Sequence, residues 1–144
     1  MKIRFLPMLA ALLLGLGTSA QTKVSITQVQ AADGQHTLQG NDAVIQLAGA
    51  EGAGNTAILS SGDVSATVHA KVSSHNVRRS SLKDSAVNLI LEINLKAGKD
   101  KDNKRVEKIF YMDQARTATV SQKFNFKQGI TMRPITLTFN IAIE

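Results

Sequence analysis

Apolar residues recur at every second position through most of this chain, and that period decides its fold class. In residues 63–73, Val64, Ala66, Val68, Ala70 and Val72 alternate with Ser65, Thr67, His69, Lys71 and Ser73. A strand sends successive side chains to opposite faces, whereas a helix would need spacings of three and four. The pattern returns in Val87, Leu89, Leu91, Ile93 and Leu95, then in Ala118, Val120, Phe124 and Phe126, with Gln122 on the apolar side. It is strongest in Ile135, Leu137, Phe139, Ile141 and Ile143. Residues 105–112 read as a further strand whose alternation blurs at Ile109-Phe110-Tyr111-Met112, as burial on both faces or a bulge would produce.

Shorter apolar runs near residues 23–30, 43–47 and 56–60 are separated by Asp33-Gly34, Gly40-Asn41-Asp42, the Gly/Ala stretch 48–54 and Ser61-Gly62-Asp63. These are turn and loop chemistries. Seven or eight strands at this spacing, each strong one with an apolar and a polar face, predict an all-β, two-sheet antiparallel β-sandwich of immunoglobulin-like architecture. The Cys pair and core Trp that mark immunoglobulin domains are missing. A membrane-spanning barrel would alternate too, but it needs aromatic girdles, and after residue 20 the chain has only Phe110, Tyr111, Phe124, Phe126 and Phe139.

The first twenty residues follow a different plan. Met1-Lys2-Ile3-Arg4 is a short positive start, residues 5–16 are mostly apolar, and Gly17-Thr18-Ser19-Ala20 are small. This is the layout of a secretory signal peptide, expected to be cleaved after Ala20, and the apolar run is short of a spanning helix. Residues 21–144 then form a single β-sandwich domain, and loss of Lys2 and Arg4 lowers the formal charge from +6 to +4. No later stretch reaches spanning length. Export without disulfides suits a bacterial periplasm or cell exterior, and without any cysteine the chain is not a lipoprotein.

Chemistry is hard to find in what remains. The absent cysteines exclude thiolate metal sites and thiol nucleophiles. His69 and His75 share a strand parity but stand about 20 Å apart along an extended chain, and His36 follows a turn without a ligand-type neighbour. Asp100-Lys101-Asp102-Asn103 begins like a calcium loop, but Lys104, Arg105 and Tyr111 occupy the positions that need an oxygen ligand, a Gly and a bidentate Glu. It reads instead as a charged turn between strands ending at Ala97 and starting at Arg105. No phosphate-binding glycine loop or nucleophile elbow is present. Glu51, Glu92 and Glu107 are the only glutamates that an acid/base pair would draw on before the C-terminus, and nothing selects them. No catalytic residue, metal or cofactor is expected.

Two basic clusters and one polar face stand out. Lys96, Lys99, Lys101, Lys104, Arg105 and Lys108 surround the 98–103 turn, and Arg78, Arg79 and Lys83 form a second cluster. Either suits an anionic surface, a polysaccharide or an acidic partner. Nucleic acid is disfavoured, because no stacking aromatics interleave with the basic residues. The polar faces of the last two strands hold Thr117, Thr119, Ser121, Asn125, Thr136, Thr138 and Asn140, with Lys123 the only charge. A nearly uncharged Thr-rich strand at the chain's end makes Thr136, Thr138 and Asn140 the expected strand-addition edge, for a protein partner or another copy. The expected function is therefore a secreted or periplasmic, non-enzymatic binding or assembly subunit of the cell envelope or surface. The alternatives are a carrier holding a lipid or other small amphiphile between its sheets, and a hydrolase.

Overall fold

The computed structural model describes residues 22–47, 52–76, 85–111 and 114–144, and these contain nine strands and no helix. They are β1 Thr22–Asp33, β2 His36–Gln39, β3 Ala43–Leu47, β4 Ala53–Ser61, β5 Val64–Asn76, β6 Ser85–Ala97, β7 Asp100–Tyr111, β8 Thr117–Gln128 and β9 Thr131–Ile143. The period-two segments all become strands, because alternation gives each an apolar face to bury.

Two antiparallel sheets pack face to face. One runs β2-β1-β9-β8, with β3 joining β2 along the same edge of β1, and the other runs β4-β5-β6-β7. Neighbours follow chain order around the whole molecule, and β9 closes back onto β1. This is an up-and-down meander, not the Greek key of immunoglobulin domains. The apolar faces point inward and the outer faces are polar, the reverse of a membrane barrel.

Four hairpins turn at one end through two-residue loops. Each begins with a glycine of positive φ, namely Gly34, Gly62, Gly98 and Gly129, followed by a residue of ordinary φ, the pattern of a type II′ turn. That turn has the twist that paired strands require. Both ends of the described chain lie at the opposite end, where Lys23 and Glu144 exchange backbone hydrogen bonds of 3.2 and 2.9 Å and their side chains pair at 3.2 Å.

The interior is filled by side chains from both sheets. Phe124, Phe139, Ile26, Leu47, Ile58, Leu89, Leu91, Ile93, Leu95, Ile135 and Leu137 are essentially unexposed. Burying each such side chain is worth about 1.5–3 kcal/mol, and with no disulfide this is the main force holding the sheets together.

Each sheet carries one bulge, and a single glycine ties the two. In β1 the register slips between Thr27 and Gln30, with Gln28 at φ 55°, and the slip brings Val29 and Ala31 inward after Val24 and Ile26. In β4 the slip falls between Ala57 and Leu59, so that Ile58 and Leu59 are both buried. Between β2 and β3, the Gly40 N–H donates to Val29 O at 2.8 Å and the Asn41 N–H to Ile58 O at 2.8 Å. A Cβ on Gly40 would collide with Ile58 O and with the Val29 side chain. Only glycine lets the chain pass this close to both bulges.

Several sequence expectations need correction. The short β2 has no counterpart among the apolar runs of the sequence, since its four residues make too brief a pattern. The charged turn is two residues long, Gly98-Lys99, and Asp100 to Asn103 already belong to β7. At the blurred stretch of β7, Ile109 is 49% exposed while Phe110 is buried, so the strand keeps one buried face. Pro134 lies inside β9, not at its first residue. It lies one residue beyond the last β1 partner pair, Asp33 with Ile135, where β1 asks no N–H of it.

Candidate functional site

The meander leaves two long strands side by side without pairing, β7 at the edge of one sheet and β8 at the edge of the other. Among the described residues β7 pairs only with β6, and β8 only with β9. The two edges differ in what they turn inward. On β7 the inward positions, set by pairing with Ala97, Leu95, Ile93, Leu91 and Leu89, hold Asp100, Asp102, Lys104, Val106 and Lys108. Inward-pointing charges blunt an edge, because adding a strand there would bury them. The Lys104 ammonium lies 6.0 Å from the centre of the Phe124 ring, at the seam with β8.

On β8 the inward positions are Ala118, Val120, Gln122, Phe124 and Phe126, none charged. Its register with β9 runs unbroken from Thr117 with Ala142 to Gln128 with Thr131. Residues 117–122, Thr-Ala-Thr-Val-Ser-Gln, contain no charge, Pro or Gly, and Lys123 and Lys127 follow only toward the hairpin. β-prone, uncharged and straight, this half-strand has the features that favour pairing with another chain.

The polar outer face beside this edge is already ordered. Thr119 Oγ1 donates to Asn140 Oδ1 at 2.8 Å, and Asn140 Nδ2 donates to Gln28 Oε1 at 2.8 Å. The Ser121 and Thr138 hydroxyls meet at 3.3 Å. The ladder crosses β1, β9 and β8, and a shallow depression lined by Ser25, Thr27, Thr117, Thr119, Asn140 and Ala142 follows it to the open edge.

Thr136, Thr138 and Asn140 themselves lie on β9, which is paired on one side with β1 and on the other with β8. A strand with both edges occupied cannot accept another, so the expected edge on β9 is corrected to β8. Position in the chain misled the reading: the last strand is central because it closes back onto the first.

The 96–108 cluster is split by the two faces of its hairpin. Lys96 and Lys101 are direct partners on the outer face, and Lys99 sits in the turn. Arg105 also faces outward and pairs with Glu107 at 2.8 Å. Lys104 and Lys108 have the inward parity and lie at the seam. Arg78, Arg79, Lys83 and Glu51 lie outside the described residues. Glu92 falls on the outer face between His69 and Arg105, one rung from Glu107.

The hairpin end carries the strongest electrostatic arrangement. Arg133 on β9 forks to Asp33 at 3.1 and 2.6 Å and to Asp63 at 2.9 and 3.0 Å. Hydrogen bonds from Arg133 hold both carboxyls below the ordinary aspartate range, against a smaller desolvation effect, and the two aspartates raise the guanidinium in return. This is a structural tie between sheets. It offers no group for catalysis, since all its charges are mutually engaged.

No three His, Asp or Glu side chains gather as a metal site among the described residues. Comparison with known proteins finds no match: no family model, no curated protein and no solved structure.

Proposed function

We propose that the protein is an exported, non-enzymatic binding and assembly subunit of the bacterial envelope or surface, joined to its protein partner or to another copy by strand addition at β8. The observation that carries this reading is the contrast between the two facing edges: β7 is blunted by inward Asp102, Lys104 and Lys108, and residues 117–122 of β8 are not. An added strand would gain a row of backbone hydrogen bonds, and its outward side chains would continue the ladder that ends at Thr119 and Ser121. Export rests on the leader-like residues 1–20.

The chain has no cysteine, so one introduced thiol is a unique crosslinking handle. Ser121→Cys on β8 is expected to give a covalent dimer or a single defined adduct in envelope extracts, and Glu107→Cys on β7 to give none. A strict monomer by light scattering with no adduct from either position overturns the proposal.

A further inference from the structure

A second surface, on the outer face of the other sheet, carries a ligand site of different chemistry. The outer face of β5, β6 and β7 is a stack of cross-strand rungs, most of them polar. His69, Glu92 and Arg105 form one rung of mixed charge, and Thr67, Asn94 and Asn103 form a neutral polar one. The rung beside the turn is the one that opposes like charges. It reads Ser65, Lys96, Lys101, with two ammonium groups on directly opposed residues. Like charges in that relation repel, and the sheet gains nothing from them unless something negative lies between.

The two polar rungs line one groove of about 460 Å³, formed by Ser65, Thr67, Asn94, Lys96, Lys101 and Asn103 together with Leu95 and Asp102. Asp102 belongs to the opposite face by register, opposite Leu95, and its Oδ1 accepts the Asn103 N–H at 2.8 Å. It is the one carboxylate among the described lining residues, and neither lysine makes an ion pair with it. Lys99 lies nearby in the turn, directly before Asp100.

We infer that this groove binds an acidic oligosaccharide, with a carboxylate or sulfate held between Lys96 and Lys101 and sugar hydroxyls against Thr67, Asn94 and Asn103. The lysine rung supplies the charge, and the next rung, about 7 Å along the strands, supplies hydroxyl and amide groups within reach of the hydroxyls of the same or the adjoining sugar. An anionic membrane is the less fitting partner. A bilayer would meet a broad cationic face, and here the cations of the neighbouring rungs, Arg105 and Lys71, share that face with Glu92 and Glu107, so that a rung with cations and no carboxylate occurs only beside the turn.

The test is a titration of the exported protein, followed by amide NMR shifts, with an oligogalacturonate, a neutral maltohexaose, inorganic sulfate and vesicles rich in phosphatidylglycerol. Saturable shifts at Thr67, Asn94, Lys96, Lys101 and Asn103 are expected with oligogalacturonate and not with maltohexaose. The double variant Lys96→Gln/Lys101→Gln is expected to bind about tenfold or more weakly. The same variant is expected to unfold at higher urea without ligand, because its repulsion is gone, so lost binding cannot be read as lost folding. Equal binding by the double variant, equal binding of the neutral sugar, a response to sulfate alone, or a response to vesicles alone overturns the inference.

Discussion

Arg133 reaches from one sheet to the other and holds Asp63 by two hydrogen bonds, of 2.9 and 3.0 Å. Asp63 lies in the β4–β5 turn, and its carbonyl accepts the Gly98 N–H at 2.9 Å, so one guanidinium secures two turns of the facing sheet. The same group is fixed from behind by Asp33, whose side chain is 17% exposed. Arg133→Leu is therefore expected to cost about 2 kcal/mol in urea unfolding, the scale of lost hydrogen bonds to a part-buried charge. A double-mutant cycle with Asp33→Asn should show coupling between the two positions.

That tie also sets an acid limit. Asp33 and Asp63 are lowered in the folded protein, so their contribution is fully present above the ordinary aspartate value and fades as pH falls through the lowered folded values. The stability gap between the native protein and Arg133→Leu should be widest near neutral pH and shrink below about pH 4. Urea midpoints measured across that range check it. A gap that stays constant would mean the carboxylates are not held by Arg133.

Gly40 is predicted to be intolerant of even one methyl group. Its Cβ would meet Ile58 O and Val29, both parts of bulges that cannot shift without disturbing a sheet. Gly40→Ala should cost about 1–3 kcal/mol, the range for overpacking a close-packed site. Thermal unfolding of this single variant measures it.

Lys104 and Lys108 are expected to matter more for solubility than for folding. Replacing both with Thr removes the inward charges from the β7 edge and should increase concentration-dependent light scattering, with little change in the unfolding midpoint. Unchanged scattering would mean that something other than these lysines blunts β7.

The strands were legible because alternation is local: Val64 to Val72 and Ile135 to Ile143 declare their faces within a few residues. Strand order was not, because it depends on which apolar faces meet across the whole core. Thr136, Thr138 and Asn140 therefore lie on a strand paired on both sides, and the open edge is that of their partners Lys123, Ser121 and Thr119. The opposed lysines were nearer to view. Reading Gly98-Lys99 as a complete two-residue turn fixes the partner of Lys96 as Lys101, and only the assumption of a longer turn hid it. The bulge at Gln28 left no readable mark, since a non-glycine residue there gives no sign of positive φ.

Hydrogen exchange along β8 tests the central claim most directly. On an edge strand alternate amides face away from the neighbour, so those within residues 117–122 should exchange quickly in the free protein while the intervening ones, bonded to β9, are protected. On assembly with a partner or a second copy, the fast set should become protected as well, with β7 unchanged. Assembly that leaves those β8 amides exchanging at their free rates would contradict the account.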